Sequence, residues 1–264
     1  MENIFYEYRH DKSRVMQVFK GISSKTKKHF HRTVEILYVL DGEIYTTVGD
    51  KEFIAGKDDI IFVHNYSVHS FMPKTEYKKY VLIVTPNYEN DIDKLLKSST
   101  LPPYLCDRDF NRRELLPIFE KLHELKDSMN DLAKKGYIDV IVGTLFSNYP
   151  SFPAKIQGNI EFMVDILHFI EEHYSEPLTL DSIAATFGYN KYYFSRLFNK
   201  YIGESLSNYI NVVRIRNFMQ KCKDMNSPQI AKIAAECGFE SMPTFYRSFT
   251  KMYGETPKSY FSKG

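Results

Sequence analysis

Phe194-Ser195-Arg196-Leu197-Phe198 and Phe245-Tyr246-Arg247-Ser248-Phe249 decide the fold, because they are one pattern written twice, fifty-one residues apart. Upstream, Ile183-Ala184 followed by Gly188-Tyr189 recurs as Ile233-Ala234 followed by Gly238-Phe239. Downstream, Gly203-Glu204-Ser205 matches Gly254-Glu255-Thr256, and Asn208-Tyr209 matches Ser259-Tyr260. A repeat at a fixed period implies one supersecondary unit used twice. Each copy reads as a short apolar helix, a turn at glycine, and a second helix carrying an arginine. That is the layout of a helix-turn-helix.

In the first copy Asp181, Ile183, Ala184 and Phe187 supply the short helix, and Gly188 permits the positive φ of the turn. Asn190 is the N-cap of the next helix. There Phe194, Leu197, Phe198 and Tyr201 recur at i, i+3, i+4, i+7, an inward stripe. Lys191, Tyr192, Ser195, Arg196, Asn199 and Lys200 are left on the other face: cations for phosphate, hydroxyl and guanidinium for base edges. In the second copy Glu240 or Ser241 caps, Phe245, Phe249 and Met252 point inward, and Thr244, Arg247, Ser248 and Lys251 face out. Any small helical domain has charged outer faces. Two copies in register, each with an aromatic-x-Arg-x-Phe core, point to double-stranded DNA as the partner.

Whole-chain charge conceals this, since 35 Lys and Arg against 33 acids leave a net of +2. Residues 159–190 hold six acids and no Lys or Arg, whereas residues 191–264 hold twelve bases and five acids, a net of +7. The basic excess begins at the first arginine-bearing helix, as an electrostatic footprint should.

The C-terminal part resembles the AraC-type (AraC/XylS) bacterial transcription regulators. The resemblance runs over about 159–264. It rests on Leu178-Thr179-Leu180, Ile183-Ala184, Tyr193-Phe194-Ser195-Arg196-Leu197-Phe198, Gly203, Tyr209 and Arg214-Ile215. The second copy adds Ile233-Ala234, Gly238-Phe239, Phe245, Phe249 and Gly254-Glu255-Thr256-Pro257. It implies two helix-turn-helix units joined by a helix over about Ser205 to Cys222, with recognition helices in adjacent major grooves. The family's base-reading positions fall on Tyr192, Ser195 and Arg196, then on Met242, Pro243, Thr244 and Arg247. Pro243 fits only a first helical turn. Met242 and Pro243 offer base edges no side-chain donor or acceptor, so the second unit is expected to anchor more than it reads.

The first ninety residues have another texture. His31 to Leu40 alternates as a strand, Asp41-Gly42 signals a hairpin turn, and Glu43 to Val48 is its expected partner. Gly49-Asp50-Lys51 turns again, Lys51 to Ile54 pairs, and Asp59 to His64 and Tyr80 to Val84 add strands. Short strands with frequent turns predict an antiparallel barrel or sandwich. Within it His29, His31, Glu35 and Gly42, with Gly56 and the later His69, resemble the histidine and glutamate pattern of cupins over about 20–85. The family's Pro-x-Gly before the last histidine is replaced by His64-Asn65-Tyr66. In metal cupins three histidines and a glutamate converge inside the barrel. If His29, His31 and Glu35 lie on one strand, parity gives them one face. Imidazoles plus a carboxylate suit Fe, Mn, Ni or Zn. AraC-type regulators often carry the same residues without metal, lining an effector pocket; structural hydrogen bonding at a strand edge is the third reading. The metal question stays open and no cofactor is assigned.

Between the two parts, Leu115, Ile118, Leu122, Leu125, Met129 and Leu132 step by three and four, a heptad seam. Pro117 must lie in its first turn or kink it. A second helix, Tyr137 to Asn148, places Val140, Ile141, Thr144 and Leu145 on one face. The resemblance implies that this region pairs two subunits. Residues 149–158 hold two prolines and a glycine without periodicity and read as a linker. Cys106, Cys222 and Cys237 lack zinc spacing and read as reduced thiols. No Walker P-loop, G-x-G-x-x-G, G-x-S-x-G or His-Glu-x-x-His occurs, so only the barrel constellation could support chemistry, as a metal-dependent cupin enzyme fused to a DNA-binding domain.

The expected architecture is α+β. An N-terminal antiparallel cupin-like β-barrel (1–90) binds effector, a helical dimerisation segment follows (91–148), then the linker (149–158) and an all-α domain with two helix-turn-helix units (159–264). The expected protein is not an enzyme but a cytoplasmic homodimeric regulator, an activator. A small-molecule effector, which the resemblance suggests is a sugar or a derivative, sits at His29, His31, Glu35 and His69. DNA meets Asn190, Lys191, Tyr192, Ser195, Arg196, Asn199, Lys200, Ser241, Thr244, Arg247 and Lys251. RNA polymerase is an expected partner and a membrane is not: no apolar run approaches the roughly 20 residues that span a bilayer, and the N-terminus lacks an apolar signal core.

Overall fold

A computed structural model describes residues 4–7, 17–85, 91–125, 127–154, 160–222, 225 and 228–262. The chain divides into two compact units between residues 158 and 159. The first is built on two five-stranded sheets. One sheet runs in the order β1 (Phe5–Tyr6), β3 (His29–Phe30), β8 (His69–Pro73), β5 (Ile44–Val48), β6 (Lys51–Ala55). The other runs β11 (Tyr104–Leu105), β7 (Ile60–Val63), β4 (Val34–Asp41), β9 (Lys78–Val84), β2 (Gln17–Ile22). Described pairings are antiparallel except that of β1 with β3, and none joins the two sheets. Leu37, Val39, Ile61, Val63, Val81 and Ile83 of the second sheet share a core with Ile44, Val48, Ala55 and Phe71 of the first, so the sheets face each other.

The strand beginning at His31 and its hairpin at Asp41-Gly42 need correction. β4 is buried along its first six residues and takes β7 on one side and β9 on the other. No edge remains for residues 43–48. The chain passes through Gly42, φ +77°, to the other sheet, where β5 pairs with β6 and β8. A Cβ at Gly42 would stand 1.9 Å from the Glu76 carbonyl oxygen, so this crossing requires glycine. The second turn is as expected: β5 and β6 pair Val48 with Lys51 around Gly49, φ +59°. The second sheet also reaches past residue 90, because Tyr104 and Leu105 pair with Ile61 and Ile60.

The outer face of that sheet carries helices α1 (Asp91–Ser98), α2 (Arg108–Phe110), α3 (Leu116–Leu125) and α4 (Asp131–Asn148), with a π-helical turn at Asn111–Leu115 just before Pro117. Leu115, Phe119 and Leu122 are buried with Ile36, Tyr38, Tyr80 and Leu82 of the sheet. The expected heptad seam is therefore broken. Asn130 caps α4 by accepting from the Ala133 N–H at 2.8 Å, which leaves Met129 in the turn and Leu132 exposed at the start of a second helix. Leu115 and Leu122 of the seam belong to the intrachain core, where removing a neighbouring side chain such as Phe119 typically costs about 3–5 kcal/mol. On α4 the inward residues are Ile138, Ile141, Val142 and Leu145, and Val140 faces out. In the expected linker, Phe152–Pro153 forms β12 and pairs with β10 (Ser99–Thr100), while residues 155–158 lie outside the described residues. No described helix is long and apolar enough to cross a membrane.

The second unit is all-helical: α5 (Glu161–His173), α6 (Leu180–Thr186), α7 (Lys191–Ile202), α8 (Leu206–Lys221), α9 (Ile230–Glu236), α10 (Met242–Tyr253) and α11 (Pro257–Phe261). α6–α7 and α9–α10 are the two repeats. α8 joins them, with its expected start confirmed by the Ser205 hydroxyl accepting from the Asn208 N–H.

Candidate effector centre and nucleic-acid interface

His29, His31, Glu35 and His69 converge, though not by the parity argument. The strand is interrupted at residues 31–33, so His29 lies in the first sheet and Glu35 in the second. His69 is directly opposite His29 across β3 and β8. The turn at His64-Asn65-Tyr66 works without Pro-x-Gly: Tyr66 takes φ +59° and its N–H donates to the His31 carbonyl at 2.6 Å. All four side chains are buried. His31 Nε2 lies 3.2 Å from Glu35 Oε2, and His69 Nε2 approaches the same oxygen at 3.3 Å without making a hydrogen bond. The His29 and His69 rings are 4.1 Å apart between centroids.

Each imidazole is held from behind, which the sequence did not reveal. Nδ1 of His29 lies 2.8 Å from the Lys27 carbonyl, that of His31 2.9 Å from Thr33, and that of His69 2.9 Å from Ser67. A carbonyl only accepts, so Nδ1 of His29 and of His69 carries the proton, whereas Nδ1 of His31 also lies 3.0 Å from the Thr33 hydroxyl, which can donate to it. Burial, reinforced by His69, lowers the pKa of His29 to about 3. Burial also lowers that of His69, against the pull of Glu35. Burial alone would raise the Glu35 carboxyl, but its contacts with His31 and His69 hold it well below the usual range. Near neutral pH the cluster holds an ionised carboxylate and uncharged His29 and His69 rings. Such a set can bind a hydrogen-bonding ligand or a cation.

In the helical unit both repeats are built alike. The Asn190 side chain accepts from the Tyr192 N–H at 3.0 Å, and the Ser241 hydroxyl accepts from the Thr244 N–H. α7 and α10 each end at a left-handed glycine, Gly203 at φ +74° and Gly254 at φ +78°. Phe194, Phe198 and Ile202 are buried under α7, and Phe245 and Phe249 under α10. Leu197, Tyr201 and Met252, expected inside, are only half-buried. Tyr192, Arg196, Asn199, Lys200, Arg247 and Lys251 are exposed, and Lys191, Ser195 and Thr244 half-exposed. Pro243 lies in the first turn of α10, as its missing N–H demands.

Several expected contact residues also have partners within the chain. Lys191 pairs with Asp181 at 3.1 Å, Lys251 reaches Glu204 at 3.4 Å, and Arg247 donates to the Thr244 hydroxyl at 3.4 Å. At exposed sites such pairs are worth under about 1 kcal/mol and yield readily to a phosphate. Arg214 is buried on α8, where its guanidinium donates to the Tyr174 and Glu176 carbonyls at 2.8 and 2.9 Å, tying α5 to α8.

Both parts match known proteins. The AraC-like ligand binding domain matches residues 20–138, and a helix-turn-helix domain matches residues 183–263. Multiple antibiotic resistance protein MarA of Escherichia coli is 36% identical over 95 residues, 36% of this chain and 74% of MarA. The chain belongs to the AraC/XylS family. As a member of the AraC/XylS family it is a DNA-binding transcription regulator with an N-terminal ligand-binding domain. The uncharacterized HTH-type regulator YbfI of Bacillus subtilis is similar over both parts, 26% identical over 203 residues, 75% of this chain and 74% of its own. ToxT of Vibrio cholerae aligns over 94% of this chain and 98% of its own at 14% identity, with a TM-score of 0.41.

Proposed function

We propose that this AraC/XylS regulator is a cytoplasmic homodimer that activates promoters when a small molecule, such as a sugar or a derivative, occupies the sheet domain. The observation that carries the reading is the pair of equivalent helices α7 and α10, each capped by a polar side chain and ended by a left-handed glycine, each presenting an arginine outward over a buried phenylalanine pair. Arg196 reads a base, as the bidentate partner of guanine. Tyr192 and Ser195 flank it, and Lys191, Asn199 and Lys200 hold phosphates with Asn190 at the helix start. Ser241, Thr244, Arg247 and Lys251 dock the second unit. Activation brings in RNA polymerase as a further partner.

Dimerisation uses the outer face of α4, where Leu132 and Val140 stand exposed and Gly136 and Gly143 open the surface to close approach. The effector meets His29, His31, Glu35 and His69, four buried polar side chains drawn together from both sheets. Glu35→Gln keeps the shape and removes the charge. In a promoter-reporter strain and by calorimetry with the inducer found in a thermal-shift screen, it should abolish the inducer response and leave basal DNA binding intact. Unchanged inducer affinity would place the pocket elsewhere.

A further inference from the structure

We propose that Lys79 binds the carboxylate group of a small organic acid between the two sheets. The inference rests on reading this domain as the effector domain, and it gives that effector a charge and a place to put it.

Strand register sets the direction of Lys79. On β9 it shares parity with Val81 and Ile83, which belong to the core between the sheets. It stands opposite Val39 of β4 on one side and Gly21 of β2 on the other. Lys79 therefore lies on the inner face, only 5% exposed. Its Nζ is 5.0 Å from the centre of the Phe71 ring and 5.5 Å from that of Tyr77, both buried members of the same core. Among the described residues Lys79 makes no hydrogen bond and no ion pair.

That combination is unusual. A buried lysine is almost always paired, because an ammonium taken out of water keeps its charge and loses its solvent. Two aromatic faces attract it. They supply none of the acceptor atoms that its three N–H groups require. Lys74, far more exposed, still has Glu43 at 3.0 Å. The missing acceptor at Lys79 is the signature of a ligand.

The surroundings leave room for one. Gly21 places no side chain beside Lys79, and the lysine stem runs over it: a Cβ there would lie 3.4 Å from Lys79 Cε. Phe19, on the same face of β2 opposite Val81, points inward and is still 38% exposed, so the space between the sheets opens along this edge. Tyr77 is fixed in place. Its hydroxyl donates to the Ser24 carbonyl at 2.8 Å and accepts from the Ser24 N–H at 3.1 Å, and its own N–H donates to the Ser23 hydroxyl at 2.7 Å. The phenol is thus engaged, and Tyr77 offers the ligand a wall and not a partner.

Charge and position give the class. One ammonium balances the single charge of a carboxylate, whereas a phosphate brings up to two charges and three strong acceptor oxygens. Thr46, wholly buried opposite Phe71, adds an inward hydroxyl. The Phe71 ring also borders His69, with centroids 5.4 Å apart. An acid held at Lys79 therefore extends past Phe71 toward the histidine and glutamate cluster. A carboxylate at one end and hydroxyls at the other describe a sugar acid or a similar hydroxylated acid.

The test uses the full-length protein, thermal shift and calorimetry, with glucuronate and cyclohexanecarboxylate as probes, each beside its neutral amide. At least one acid should raise the melting temperature of the wild type, and its amide should not. Lys79→Met keeps the stem and removes the charge, so it should weaken binding of that acid roughly tenfold or more. Lys78→Met, the exposed neighbour on the outer face, should bind as the wild type does. Should Lys79→Met fold poorly, the difference between acid and amide on the wild type still decides. A wild type stabilised by neither acid, or equally by acid and amide, or unchanged affinity in Lys79→Met, would overturn the proposal. If the inducer proves uncharged and loses affinity in Glu35→Gln but not in Lys79→Met, the carboxylate site fails and the effector reading stands. If an acid binds through Lys79 and the promoter reporter stays silent, the site stands and the effector reading fails.

Discussion

Gly188 and Gly238 occupy the same place in the two repeats with similar backbone, φ +72° and φ +86°, yet alanine should cost very different amounts at the two positions. At Gly188 a Cβ meets nothing within 4 Å. Gly188→Ala therefore carries only the left-handed strain of a non-glycine residue, about 1–2 kcal/mol. At Gly238 the same atom would lie 2.7 Å from the Tyr174 carbonyl oxygen and 2.9 Å from both Arg214 Nε and the Ser175 carbonyl oxygen. Two of these neighbours are backbone, so the α9–α10 turn must move away from the end of α5. Arg214 then risks its bonds to Tyr174 and Glu176, and hydrogen bonds to a charged group are worth about 1.5–3 kcal/mol each. Gly238→Ala should thus cost about 3–5 kcal/mol once strain and at least one lost bond are combined. Urea denaturation of full-length variants, followed by circular dichroism through the helical unit's transition, reads the difference. Equal destabilisation of the two variants would refute the reasoning, because it would leave only the shared backbone strain.

Other outcomes follow from the burial pattern. Val140→Glu, on the exposed face of α4, should yield a folded monomer in sedimentation, whereas Leu122→Glu should unfold the sheet domain by burying a charge; an intact Val140→Glu dimer would move the interface off α4. Iodoacetamide at pH 8 should label the exposed Cys106 and spare Cys222 and Cys237 in the native protein. Burial pushes the Cys237 thiol up to about 11, so its thiolate is scarce at pH 8 and grows only as pH rises toward that value. Rapid native labelling of Cys237 at pH 8 would mean that the second repeat opens.

The repeat made the helical unit legible in detail, because caps and turn glycines are local: Asn190, Ser205, Gly203 and Gly254 do what their residue types require. The sheet domain was legible in kind and not in connection. Asp41-Gly42 carries a hairpin signal, but which strands pair depends on β4 needing neighbours on both sides, a tertiary demand invisible to a turn motif. The three-four spacing from Leu115 to Leu132 records a helix with an apolar face and is silent on what that face meets; for Leu115 and Leu122 it meets the sheet. His29, His31 and Glu35 were grouped by strand parity, yet they converge because the chain changes sheets between them. The carbonyls that hold each Nδ1 come from Lys27, Thr33 and Ser67, residues whose side chains give no signal of the role.

Selection of duplex DNA from a random-sequence library tests the central claim most directly, using full-length wild type beside Arg196→Ala and Lys200→Ala. Wild type should enrich a site with contacts in two major grooves about one helical turn apart. Arg196→Ala should lose roughly 1–3 kcal/mol of discrimination at a single base pair, tenfold or more in affinity for that site. Lys200→Ala should enrich the same sequence with weaker binding and a flatter dependence on salt. An Arg196→Ala protein that enriches the wild-type sequence with unchanged affinity would contradict the assignment of α7 as the helix that reads the DNA.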